Sequence, residues 1–216
     1  RSEAYEEERI ASAAQRLASE LEDRVQHYGQ VLSASVSAYR VLPAEGKAWR
    51  EFTRALQLQE SFPGFRCISL ILSAPDTGQA GGEPLRLAGA VSPTPDGCPS
   101  GELDETTAAK LTLLRRRAAA GTAMAAGTVS WIVNGEPREW LALLRRVKPL
   151  AEDGKVADYG WIVALADPDV LFDGVAERVD ANLRFALYEG DSVETGHFLF
   201  RSGPVEATDS QLQPTL

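Results

Sequence analysis

The chain of 216 residues is 44% hydrophobic and 25% charged, the balance of a folded chain with a sizeable core, which excludes a disordered or low-complexity protein. A formal net charge of -9 and a sequence pI of about 4.8 leave no basic footprint for a nucleic-acid partner. No apolar run approaches the roughly 18 residues needed to cross a bilayer.

A long amphipathic helix is predicted from Glu3 to Leu42, stopping at Pro43. Ile10, Ala13, Leu17, Leu21, Val25, Tyr28, Leu32, Val36 and Tyr39 recur at steps of three and four, close to the 3.6-residue helical period. Glu6, Glu7, Glu8, Glu20, Glu22 and Asp23 between them suit a solvated face. At about 1.5 Å per residue the helix spans roughly 60 Å, so one end is expected to project as a stalk. Its face of Leu17, Leu21, Val25, Tyr28 and Leu32 is expected to pack along its own domain or against a partner's helix in a homodimer. The chain opens inside this helical pattern without an initiating Met or a signal-peptide core. It is therefore expected to be an excised fragment of a membrane-anchored protein.

A short helix from Trp49 closes on Ser61-Phe62-Pro63-Gly64-Phe65, directly before the apolar strand Cys67 to Leu72. A Gly/Pro-rich loop follows from Ala74 to Glu83, then a strand from Pro84 to Val91 and a second Pro/Gly-rich loop. Asp104-Glu105-Thr106-Thr107 starts a helix with an acidic first turn, and Gly121 is its expected left-handed C-cap. Cys67 and Cys98 are open to two readings: a bridge in an oxidising compartment, or a buried Cys67 acting as a small hydrophobe.

Three strands are expected next, at Thr122 to Ala126, Gly127 to Val133 and Trp140 to Val147, with Asn134-Gly135-Glu136-Pro137 as a hairpin turn. Tyr159 to Ala166 reads as a buried strand. Asp167-Pro168-Asp169 caps a helix running to about Asn182. Leu183 to Gly190 and His197 to Arg201 form a last strand pair, and the chain turns polar from Gly203.

Catalytic signatures are missing from this order. There is no G-x-S-x-G elbow, Walker loop or dinucleotide fingerprint. His27 and His197 have no second ligand at metal-binding spacing. Asp167/Asp169 and Glu102/Asp104/Glu105 sit at helix starts, where capping accounts for them. No enzyme activity, metal or cofactor is expected. Arg115-Arg116-Arg117 and Arg145-Arg146 read as solvated faces.

Four blocks suggest a family. They are the Phe62-Pro63-Gly64-Phe65 turn into a strand, the helix end Ala118-Ala119-Ala120-Gly121-Thr122-Ala123, the strand end Val147-Lys148-Pro149-Leu150, and Gly160-Trp161-Ile162-Val163-Ala164-Leu165. In this order they resemble the CHASE domain, an extracytoplasmic sensor carried between two membrane helices of receptors.

The resemblance implies an α+β fold, with a long N-terminal stalk helix, a membrane-distal PAS-like antiparallel sheet unit and a smaller proximal PAS-like unit. The corresponding segments are residues 1–60 for the stalk and connecting helix, 61–166 for the distal unit, 167–203 for the proximal unit and 204–216 for a tail towards a second membrane helix. It implies a periplasmic domain of an inner-membrane receptor that binds a small ligand and signals to a cytoplasmic histidine kinase or cyclic-dinucleotide enzyme. In plant members the ligand is an adenine-type cytokinin, bonded by an Asp ahead of the crossing helix and by a backbone group after it. Those positions fall at Leu103 or Asp104 and near Ala125. The stretch between the first strand and the crossing helix is shorter here than in the family and Pro/Gly-rich, so no ligand identity is carried over.

Strand alternation offers its own pocket. Thr128, Ser130 and Ile132 share one face and Trp131 takes the other, with Trp140, Ala142 and Leu144 as the alternate set on the hairpin partner. Trp131 or Trp140 could stack on a flat ligand or serve as core tryptophans. Asp104 could bond a ligand or cap its helix. Two functions stand side by side: a ligand-binding sensor with an open cavity, or a ligand-free dimerisation or protein-interaction module whose sheet is filled by its own side chains.

Overall fold

The computed structural model describes residues 2–39, 47–72, 86–92, 98, 103–119, 124–133, 136–147, 160–180, 183–190 and 196–203. The fold is α+β: a long N-terminal helix, a five-stranded antiparallel sheet and a two-stranded sheet. The expected helix end at Gly121, the first half of the Asn134-Gly135-Glu136-Pro137 turn, the Lys148-Pro149-Leu150 corner and the polar tail after Gly203 lie outside the described residues, whereas Glu136 and Pro137 are strand residues.

Helix α1 covers Ser2–Tyr39, and at about 1.5 Å per residue it is roughly 57 Å long. Where one helix was expected after it, there are two, α2 (Lys47–Ala55) and α3 (Leu58–Ser61). The break falls at Gln57, whose φ of 48° is left-handed and cannot continue a right-handed helix. Strands β1 (Phe65–Leu72) and β2 (Arg86–Val91) precede helix α4 (Glu105–Ala119). The two strands expected on either side of Gly127 are one, β3 (Ala125–Val133), because a glycine facing the small Ala142 is accommodated inside a strand. It pairs with β4 (Glu136–Val147), which begins four residues before Trp140, and β5 spans Gly160–Ala166.

The helix expected to reach Asn182 is interrupted. Asp167 caps α5 (Pro168–Leu171) by accepting from the Asp169 amide at 3.0 Å, and a separate α6 covers Val175–Val179. Gly174 between them sits at φ 69°, a conformation glycine adopts at little cost. Strands β6 (Ala186–Glu189) and β7 (His197–Arg201) form the small sheet.

The chain divides into two compact units, and α1 contributes to both. The larger is Tyr28–Leu171. Its sheet runs β2-β1-β5-β4-β3, every neighbour antiparallel. Every residue of the central β5 is buried, as expected of a strand covered on both faces. Tyr28, Val31, Leu32, Ser35 and Val36 are buried on α1 in this unit, at the spacing of one helix face. Its contacts to the sheet are specific. Arg145 donates to Ser33 Oγ, and a Cβ at Gly29 would stand 2.7 Å from Met124 Sδ, so the helix approaches closely there. The Tyr28 hydroxyl donates to the Pro63 carbonyl and its ring meets Phe65 at 4.9 Å, which docks the Phe-Pro-Gly-Phe turn on α1. Burial pushes the Tyr28 phenol above its ordinary pKa.

The smaller unit is Arg1–His27 with Phe172–Leu216. Its buried apolar residues include Ala13, Phe172, Val175, Ala176 and Phe200, and the Phe200 ring lies 5.6 Å from Phe185 and 5.7 Å from Phe172. Arg24 donates to the Asp173 carbonyl at 2.8 Å, and Arg178 pairs with Glu20 at 2.8 Å.

Candidate functional site

The candidate site is the face of the five-stranded sheet that α4 covers. Helix α4 starts where Asp104 accepts from the Thr107 amide at 2.9 Å and from its hydroxyl at 2.6 Å. The same hydroxyl, buried, lies 2.8 Å from the Ser130 carbonyl, so one proton is shared between the cap and the outer strand β3. These bonds, the Thr107 hydroxyl first and its amide second, hold the Asp104 carboxyl below the usual carboxylate range. Leu111, Leu114 and Ala118 turn inward at steps of three and four, and the Arg115 guanidinium stacks 5.6 Å over the Trp161 ring.

Pairing register decides which sheet residues meet α4. Val133 lies opposite Glu136, so Ala125 faces Leu144, Gly127 faces Ala142, Val129 faces Trp140 and Trp131 faces Arg138. Directly opposed residues of an antiparallel pair project to the same side. Ala125, Trp131, Trp140, Ala142 and Leu144 therefore share the α4 face, joined by Cys67, Ile71, Trp161, Val163 and Leu165 from β1 and β5. Thr128 and Ser130 belong to the other face, opposite Leu141 and Glu139. The expected site residues are thus split by the sheet. A one-residue offset in strand register exchanges faces, and the Val133–Glu136 pairing fixes that offset.

Asp104, read either as a ligand-bonding carboxylate or as a cap, is a cap in this structure. Trp140 is 6% exposed, and its Nε1 has no hydrogen-bond partner among the described residues. A buried donor left unmatched costs about 1–3 kcal/mol. Trp131 is half-buried and packs at the edge of the same cluster with Leu103 and Cys98. Cys98 is bridged to Cys67 with a Cα separation of 4.9 Å, tying the segment ahead of α4 onto β1.

Sequence reading missed Trp161, Val163 and Leu165 as members of this face, because β5 is apolar throughout and no polar alternation marks its two sides. On α1, Tyr28 and Leu32 are buried in the core of the larger unit, and Leu17, Leu21 and Val25 are half-buried in the smaller one. His27 and His197 are exposed, and no cluster of three His, Cys, Asp or Glu side chains able to hold a metal occurs among the described residues. Nor is any helix among the described residues long and apolar enough to cross a membrane.

A five-stranded antiparallel sheet in the order 2-1-5-4-3, crossed by one helix and preceded by a long N-terminal helix, defines a PAS-like α+β fold. No protein-family model matches the sequence, and no curated protein matches it. Among solved structures, the periplasmic domain of Vibrio cholerae LuxQ is similar over 92% of this chain and 82% of its own, at 13% identity and a TM-score of 0.50. A selenomethionine form of the same domain is similar over 93% and 81%, at 13% identity and a TM-score of 0.48. At such identity the likeness is one of fold.

Proposed function

We propose that this chain is a non-enzymatic extracytoplasmic sensor domain that takes a small ligand on the α4 face of its larger sheet. The observation that carries this reading is the composition of that face: an apolar, tryptophan-lined surface in which the indole donor Trp140 Nε1 is buried and unmatched. The PAS-like fold shared with a periplasmic domain supports the setting. So does the Cys67–Cys98 bridge, since disulfides persist in oxidising compartments.

In this reading the domain is of the CHASE type and belongs to an inner-membrane receptor. The larger unit is membrane-distal, and α1 links the domain to a membrane helix. The exposed Tyr5 and Ile10 lie on the part of α1 where a homodimer partner's helix would pack. The output is a cytoplasmic histidine kinase or cyclic-dinucleotide enzyme.

A second reading has an observation of its own. Trp140, Val129, Leu111 and Leu114 are all buried on the α4 face, the packing expected of a ligand-free interaction module. A thermal-shift screen of the domain against metabolites separates the two. A ligand present at a hundred times its dissociation constant stabilises by about 2.7 kcal/mol. Stabilisation by a small molecule supports the sensor reading, and a screen without hits, alongside a concentration-dependent dimer, supports the module.

A further inference from the structure

We propose that the α4 face reads its ligand through the indole N–H of Trp140, so that the molecule it takes is flat, largely apolar and presents a hydrogen-bond acceptor. This rests on the sensor reading and adds the polarity of recognition to it.

An indole nitrogen only donates. Trp140 is 6% exposed and its Nε1 is unmatched among the described residues, so what is missing is an acceptor. The side chains of its cluster neighbours Val129, Ala142, Leu111 and Leu114 offer none. A buried water is a poor substitute, because it needs two to four polar partners of its own. For packing alone a phenylalanine would serve, and buried tryptophans usually find a partner for the N–H.

The carboxylate at the start of α4 points to the same polarity. Both Asp104 oxygens accept from Thr107, one from the amide and one from the hydroxyl, so a ligand donor would have to compete with the helix cap. Recognition therefore runs from a protein donor to a ligand acceptor. Shape follows from the sheet beside Trp140. Ala125, Gly127 and Ala142 leave that part of β3 and β4 without bulky side chains, and the half-buried Trp131 flanks it with an aromatic plane.

Pyridine and benzene test this as a matched pair, since they share shape and differ by one acceptor nitrogen. The domain, labelled with 15N at its tryptophan indoles, is titrated with each at neutral pH, where pyridine is uncharged. Trp140→Phe assigns the Trp140 signal and repeats the titration without the donor. The expected result is a downfield shift of the Trp140 N–H with pyridine, and binding roughly threefold to tenfold tighter than benzene. In Trp140→Phe the two probes bind alike.

Equal affinity of the wild type for both probes overturns the inference and leaves the sensor reading standing. A pyridine preference that survives Trp140→Phe also overturns it. If neither probe moves the indoles of Trp131, Trp140 or Trp161, both readings fall together. Should Trp140→Phe not fold, the wild-type comparison decides alone.

Discussion

On one face of the five-stranded sheet Ile68, Leu70, Leu141, Leu143 and Ile162 are buried on the side where α1 docks. On the other, Trp140, Trp161, Val163 and Leu144 lie beneath α4. The α1 face is closed by aliphatic packing and pinned at Tyr28–Pro63 and Arg145–Ser33. The α4 face is pinned by a disulfide and by the Asp104–Thr107–Ser130 bonds, and it keeps an unmatched donor. Among the described residues both sides keep an unmatched buried group, Ser35 Oγ on α1 and Trp140 Nε1 beneath α4. The groups differ in setting: a small hydroxyl on a helix packed over aliphatic side chains, and an indole N–H within a tryptophan-lined cluster.

The largest effect is expected where the scaffold is cut. Leu143→Ala, at a fully buried position on the α1 face, is expected to cost about 2–5 kcal/mol in urea unfolding. Leu111→Ala on α4 is expected to cost less, because β4 is held between two strands and cannot collapse into the gap, whereas a helix seated on side chains can. Equal losses would break the comparison between the faces.

Next comes the covalent pin. Cys67 and Cys98 are 31 residues apart, and closing such a loop contributes about 3–4 kcal/mol on the chain-entropy account. Cys98→Ser, or reduction of the wild type, should lower the melting temperature by that equivalent. An unchanged Tm would show that the bridge does not hold the α4 face.

The smallest effect is at the cap. Asp104→Ala is expected to lose about 0.5–2 kcal/mol, and Asp104→Asn much less, since Asn also caps well. The Asp104 pKa is depressed on folding, so its contribution is complete above the unfolded carboxylate value of about 3.9 and fades as pH falls through the lower folded value. Urea unfolding followed from pH about 5 down to about 2 should therefore show a shallower acid slope for Asp104→Asn than for wild type. Identical slopes would mean that the Thr107 bonds do not form in solution.

Much of this architecture was legible in the residues themselves. The three-and-four stripe of α1, the apolar runs of β1 and β5, and the Asp-Pro cap of α5 are local signals that packing did not override. The helix breaks at Gln57 and Gly174 were not. A left-handed non-glycine such as Gln57 has no sequence signature, and Gly174 inside an apolar pattern is compatible with continuing helix. On the site, both tryptophans of the hairpin were expected, and Trp131 was expected on the face away from Thr128 and Ser130, but Trp140, Ala142 and Leu144 were matched to Thr128 and Ser130 across the sheet. Which face a strand residue takes depends on pairing register, and a turn expected over Asn134-Gly135-Glu136-Pro137 does not set the observed one, in which Glu136 and Pro137 already pair with Val133 and Ile132. The β5 contribution went unseen because a strand buried on both faces shows no polar alternation to mark its sides.

The four tryptophans provide the most direct measurement of whether the faces differ in kind. Trp131, Trp140 and Trp161 belong to the α4 face, whereas Trp49 is buried on α2 against Tyr39 of α1, with ring centroids 6.3 Å apart. The indole 15N spectrum of the domain, recorded while a stabilising metabolite is added, should show the first three signals moving together and Trp49 unmoved. Movement of Trp49 with the other three at rest would contradict the assignment of the α4 face as the sensing surface.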